Sequence, residues 1–181
     1  LQWIWSGTPR AGGALAMSAE ELERLGKLAL QCREPERPNM VFLHSIPLAP
    51  SFVLKDWKTR ASQLTELADT LWTPVGLRTL SPHSAGYRPN CEGDQRTRDQ
   101  AYHQGPVWAW LGGHFEMARR RLLTGVIQGN NGPQTFGEFP ATFPIQGHIP
   151  ELFDAEPDFS PRGTPAQAWS AACFEEARIR Y

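Results

Sequence analysis

Apolar residues recur at steps of three and four along four stretches of the chain, and that period predicts amphipathic helices. The longest run lies between Lys55 and Trp72, where Trp57, Ala61, Leu64, Leu67, Ala68 and Leu71 form one stripe. A second helix is expected over 18–31, opened by the capping-box pattern Ser18-Ala-Glu-Glu21 and carrying Leu22, Leu25 and Ala29. A third is expected over 106–123, with Val107, Trp108, Leu111, Phe115, Ala118 and Leu122 at helical spacing and Pro106 at its first position. The fourth spans 164–179, where Thr164 is placed to cap, Pro165 to start, and Ala168, Trp169, Ala172, Cys173 and Ala177 to make a small-residue face. Between them, Arg37 to Pro47 is apolar throughout its middle and fits a short helix or a buried strand equally well by period. Residues 1–17, 81–98 and 124–148 carry turn residues and little periodicity. A loop as long as 81–98 is uncommon without a functional reason.

Composition changes this picture in two respects. The 16 glycines and 16 prolines among 181 residues exceed the average usage of about 7% and 5%, so the helices are joined by long, turn-rich connections where function concentrates. The 18 Lys and Arg nearly cancel the 19 Asp and Glu, so no global field favours nucleic acid or an anionic membrane, and a neutral ligand is expected. Cys32, Cys91 and Cys173 are odd in number and far apart, which suggests neither zinc nor a disulfide framework and points to a reducing, cytoplasmic compartment. No apolar run approaches the ~18 residues of a membrane-spanning helix. The start LQWIW, without Met, points to a fragment.

Candidate chemistry gathers in DQAYHQGPVWAWLGGHF, Asp99 to Phe115, where a polar loop runs straight into an aromatic helix start. His103 suits a general base or ligand, although a histidine beside glycine is also a common structural group. Trp108, Trp110 and Trp169 offer flat indole faces for sugars, and helical spacing fits core packing as well. Glu151 stands between Pro150 and Leu152-Phe153, an apolar collar expected to raise its pKa, with a solvated or capping role as the competing reading. Asp154 and Asp158 fit loop capping, Arg162 fits a bidentate hold on a loop carboxylate, and Arg119-Arg120-Arg121 fits a solvated helix face.

Five pieces in a fixed order carry a family resemblance: RPNMVFLHSIP (37–47), TPVGLRTLSP (73–82), YRPNCEGDQRTRDQAYHQGPVWAWL (87–111), IPELFD (149–154) and PRGTPAQAWSAA (161–172). Together they resemble the C-terminal part of the glucosidase domain of glycogen debranching enzymes, over about 36–181, with 1–35 lying outside the match. The resemblance implies an all-α fold, about the last half of an (α/α)6 toroid with long loops, and favours a helix at 37–47. It implies hydrolysis of α-1,6-linked glucosyl branches of an α-glucan by inversion, with Glu151 as general base. His103, Gln104 and Trp108 would line the glucose subsite, with Tyr102 and Asp99 supporting them, and Trp169 joins that set as a stacking candidate read from the residues themselves. An inverting pair requires carboxyls ~6.5–9.5 Å apart to admit a water. The family's general acid lies in a Trp-Met-Asp-Ala-like motif that these 181 residues lack, so the chain by itself is expected to be incomplete and to need the N-terminal part of the domain. Departures from the family are Ala109 for a proline, Thr164 for a cysteine, and no helical pattern in 124–148. Neither metal nor organic cofactor is required by two-carboxylate hydrolysis. The alternatives are a non-catalytic carbohydrate- or partner-binding piece and a related glucoamylase-like glycosidase.

Overall fold

The computed structural model describes Glu20, Arg24, 36–46, 57–127 and 148–180. Both Glu20 and Arg24 are helical, and the rest of the helix expected at 18–31 lies outside the described residues, as do 1–17 and 128–147. A single 3-10 turn, Pro38–Met40, leads directly into α1, Val41–Ser45. The ambiguous segment is therefore helical, as the resemblance favoured. Then follow α2, Trp57–Leu71, β1, Trp72–Thr73, and β2, Gly76–Arg78. Next are α3, Gln95–Ala101, β3, Val107–Trp108, and α4, Ala109–Ile127. The described chain closes with β4, Leu152–Phe153, β5, Pro161–Arg162, and α5, Ala168–Arg180.

Helices dominate, but the all-α expectation is corrected: the five short strands pair antiparallel in chain order, β1 to β5. Each strand is two or three residues long, too short for an alternating pattern to register in sequence. Val107 and Trp108, expected inside the first helical turn, instead pair with Arg78 and Leu77 on one side and with Phe153 and Leu152 on the other. Those partners come from 29 to 46 residues away, so cross-strand hydrogen bonding overrides the local helical period. The helix begins only at Ala109.

Strand alternation then sorts the side chains onto two faces. Leu77, Trp108 and Leu152 join Val41, Leu64, Leu67, Leu71, Leu111 and Phe115 in the main core under α1, α2 and α4. Val107 and Phe153 point the other way, into a smaller cluster with Val75, Ala109 and Ala155. The sheet is thus a narrow partition between two cores, and its ends are where loops meet.

Two further expectations change. Within the loop expected at 81–98 a helix begins, because the Asp94 side chain accepts from the Thr97 N–H at 2.8 Å and caps α3. The arginine run is no solvated face. Glu116, almost fully buried on α4, accepts from Arg119 at 2.6 Å and from Arg120, while Arg121 donates to the Ser45 carbonyl at 2.9 Å. Burial alone would raise the Glu116 pKa; the two guanidiniums outweigh it and hold the carboxyl below its usual range.

Helix α5 starts at Ala168 rather than at Thr164, since the Thr164 N–H is drawn to Glu151 and the Gln167 N–H to the Ile149 carbonyl. Its inward face holds Ser170 and Ala177, not the Ala168 and Ala172 of the expected stripe, which are exposed. Close contact with α4 occurs at Gly113, where an added Cβ would lie 2.7 Å from the Cys173 carbonyl carbon. We expect Gly113→Ala to push the two helices apart and to destabilise the fold by roughly 1–3 kcal/mol, as overpacking does. Urea denaturation measures this; an unchanged midpoint would show that the contact yields freely.

Candidate active site

The sheet's end carries the site. Antiparallel pairing of β4 with β5 sets Leu152 opposite Arg162, so Glu151, one residue before β4, meets Gly163 and Thr164, just beyond β5. The Glu151 N–H donates to the Thr164 carbonyl at 2.9 Å, and the Thr164 N–H donates back to Glu151 Oε2 at 3.0 Å. Gly163 makes this possible. Its φ of +68° is left-handed, and an added Cβ would fall 2.4 Å from Glu151 Oε2. The hairpin base is secured by Asp154, buried, which accepts from the Cys91 N–H at 2.8 Å on Oδ1 and from Arg162 Nε at 2.8 Å on Oδ2. The two guanidinium nitrogens share Oδ2, so the expected hold on a loop carboxylate is present, with the second oxygen taken by backbone.

The other oxygen of Glu151 accepts a hydrogen bond from the Tyr102 hydroxyl. Tyr102 follows α3, in a turn that ends at Gly105, whose φ of +155° and absent side chain let the backbone pass the Arg88 carbonyl. The Trp108 indole N–H donates to the Tyr102 carbonyl at 2.9 Å, which ties the turn to β3. His103 stacks on Trp108 at 5.2 Å, and Tyr102 meets the same indole edge-on at 4.8 Å.

These rings form one wall of a cavity of about 460 Å³. Phe42 of α1, Trp110 and Leu111 of α4, and Arg37 also line it. Trp169, at the start of α5 and 49% exposed, leans toward Trp108 and Trp110 at ring separations of 6.0 and 5.8 Å. The Trp110 indole N–H is buried without a partner among the described residues.

Electrostatics separate the roles. Partial burial pushes the Glu151 carboxyl up, but the Tyr102 and Thr164 hydrogen bonds to the charged form together outweigh it, and the pKa falls below the usual range. This corrects the expectation that its apolar neighbours raise it: the neighbours in sequence, Leu152 and Phe153, turn into the cores, while polar groups from elsewhere meet the carboxylate. Tyr102 moves the opposite way, its phenol pKa raised by burial and by donation to Glu151. His103 is held toward its neutral form by burial and by the Arg37 charge. An ionised carboxylate with a fixed donor is poised to accept a proton, not to give one.

Tyr102→Phe removes that donor and leaves burial as the largest influence. We expect the Glu151 pKa, followed by carbon-detected NMR, to rise toward or above the ordinary ~4.3 of glutamate. An unshifted titration would mean that Thr164 alone holds the charge. The linkage sign follows: with a depressed folded pKa, the stability that ionised Glu151 contributes is present above ~4.3 and is lost as pH falls through the lower folded value.

Of the residues named from sequence, Tyr102, His103, Trp108 and Trp169 line the cavity, and Glu151 reaches it through the Tyr102 hydroxyl. Gln104 stands behind the wall, accepting from Arg37. Asp99 lies apart, exposed on α3 in a shallow groove with Gln95, Arg96 and Gln100, and its charge is the last of the influences on Tyr102. Sequence reasoning passed over Phe42 and Arg37. Their only signal was membership of the 37–47 segment, which reads locally as buried hydrophobic chain. No cluster of three or more His, Cys, Asp or Glu placed to hold a metal occurs among the described residues, nor any helix long and apolar enough to cross a membrane.

Tryptophan faces and the polar groups of Arg37, Asn39, Thr79, Tyr102 and His103 thus line one cavity, to which the Glu151 carboxylate is joined through the Tyr102 hydroxyl. The chain belongs to the amylo-alpha-1,6-glucosidase family, whose model matches residues 31–176. It is similar to the glycogen debranching enzyme of Saccharomyces cerevisiae, 27% identical over 160 residues, a match that covers 76% of this chain and 10% of the yeast protein. The chain therefore spans about a tenth of the length of that relative.

Proposed function

We propose that the cavity holds the glucosyl unit of an α-1,6-linked branch and that Glu151 is the general base of its hydrolysis with inversion. The observation that carries this reading is the Tyr102 bridge, which joins the cavity wall to an oxygen of a carboxylate kept ionised. In this reading the helices and the sheet partition belong to the closing part of an (α/α)6 toroid. Glucose stacks on the aromatic wall made by Trp108 and Trp169, neutral His103 and the nearby amides meet its hydroxyls, and Glu151 takes the proton of a water that attacks the anomeric carbon. The general acid, which protonates the leaving oxygen, belongs to the Trp-Met-Asp-Ala-like motif absent from these residues. The carboxylates nearest Glu151 in the hairpin do not substitute for it, since Asp154 is committed to Arg162 and the Cys91 N–H.

An acid is dispensable when the leaving group departs without a proton, as fluoride does. The 181-residue chain, supplied with α-glucosyl fluoride, is expected to release fluoride and give β-glucose, which NMR identifies before the anomers equilibrate. α-Glucose as first product would overturn inversion. The absent acid motif also favours a second reading, binding without turnover, in which the chain titrates with isomaltose but releases no fluoride.

A further inference from the structure

Among the described residues Arg37 is the one strong cation lining the cavity, and its side chain reaches across 66 and 67 residues of sequence to His103 and Gln104. Its Nη1 donates to the His103 carbonyl at 2.7 Å and to the Thr79 carbonyl at 3.2 Å, and its Nη2 donates to Gln104 Oε1 at 3.0 Å. All three acceptors are uncharged. They belong to two loops, the one leaving β2 and the turn leaving α3, and those loops are further joined by Thr79: its hydroxyl donates to the Pro106 carbonyl at 2.9 Å and accepts from the Gly105 N–H at 3.0 Å. Residues 103–106 are thus gripped along their length, while Tyr102, immediately before them, projects its hydroxyl onto Glu151.

We propose that Arg37 is a positioning residue of this site: its guanidinium fork locks the 102–105 turn in the register that sets Tyr102 on Glu151 and His103 on Trp108. The fork is essential, because a planar guanidinium donates in two directions from two nitrogens, whereas a lysine ammonium is a point charge on a flexible stem. Its charge has a separate effect. Against His103 stand Arg37 from the segment before α1, the Tyr102 phenol from the turn, and the uncharged Trp108 from β3; the carboxylate of Glu151 is engaged by Tyr102. The nearest full charge facing the imidazole is therefore positive, and it disfavours the imidazolium. A neutral ring presents one donor and one acceptor to a ligand, where an imidazolium presents two donors.

The inference rests on the glucosyl reading of the cavity, and the experiment separates the two. In the full 181-residue chain, Arg37→Lys keeps the charge and loses the fork, and Arg37→Gln loses both. Isomaltose affinity by calorimetry is expected to fall roughly tenfold to a hundredfold in both variants, the loss typical of misplaced contact groups. The NMR titration of His103 is expected to move upward in Arg37→Gln alone. Arg37→Lys binding isomaltose as tightly as the parent chain would overturn the proposal, as would Arg37→Gln with an unmoved His103 titration. A structural role alone would lower the melting temperature and leave these readouts in place. If the parent chain binds no isomaltose, the glucosyl reading fails, and Arg37 is then judged by the Trp108 indole N–H resonance, which reports its bond to the Tyr102 carbonyl: a shift in Arg37→Lys supports the positioning role and an unmoved signal refutes it. Should Arg37→Gln fail to fold, Gln104→Leu removes one acceptor while keeping the charge, and it must move the same resonance.

Discussion

Glu151→Gln is expected to lower fluoride release from α-glucosyl fluoride by about 10²–10⁴-fold, the usual contribution of a positioned general base. The amide has nearly the volume of the carboxylate and its oxygen still accepts from Tyr102; its NH2 gives up the bond from the Thr164 N–H, and the backbone bond from the Glu151 N–H to the Thr164 carbonyl keeps the β4–β5 hairpin in place. What is lost is the capacity to take a proton from water. Isomaltose affinity should therefore change little while turnover collapses, which is the signature of a group acting in the transition state rather than in binding. If the variant retained most of the parent rate, Glu151 would not be the base, and the low pKa imposed by Tyr102 and Thr164 would be a structural property of the hairpin. With an α-1,6-linked branch as substrate, neither chain should turn over, because oxygen, unlike fluoride, needs the absent acid.

Phe153→Ala should be the most damaging substitution for stability, costing about 3–5 kcal/mol. The ring is fully buried in the smaller core against Val75, Val107, Ala109 and Ala155, and the short strands around it cannot close on the space it leaves. A domain of this size is stable by only about 5–15 kcal/mol, so the loss is a large fraction of the whole. The effect should spread to the site, since Phe153 lies two residues from Glu151 on the strand that sets its place. Urea unfolding with Phe153→Leu as a control measures it: the control should lose far less, and a loss below about 1 kcal/mol for the alanine variant would mean that the smaller core is not closely packed.

Much of the helical framework was legible along the chain. The stripe from Ala61 to Leu71 became α2 within a residue or two of its expected ends, with Leu64, Leu67 and Leu71 wholly buried, because a long amphipathic period is a local property that tertiary context rarely reverses. The strands were not legible. Val107-Trp108 and Leu152-Phe153 are dipeptides whose extended state is decided by each other, across some 45 residues, and no window of sequence contains both. The same distance hid the Glu151 environment. Locally the residue sits among Pro150, Leu152 and Phe153, yet its actual neighbours are Tyr102, Gly163 and Thr164, so the expected direction of its pKa was reversed. Arg119 and Arg120 were misjudged for a related reason: charges three and four residues from Glu116 on α4 fold back onto it once that face is buried.

By itself the sequence determined the family, the helix periods, the long loops and the residue types gathered at the candidate site, all of them properties of composition and local order. Only the tertiary structure decided which of those residues meet. Antiparallel register sends Trp108 and Leu152 to one face and brings Glu151 against Thr164, and a single arginine at position 37 reaches across 66 residues to hold the turn between them. Hydrogen bonds and packing act on distance in space, which the order of residues along the chain does not record.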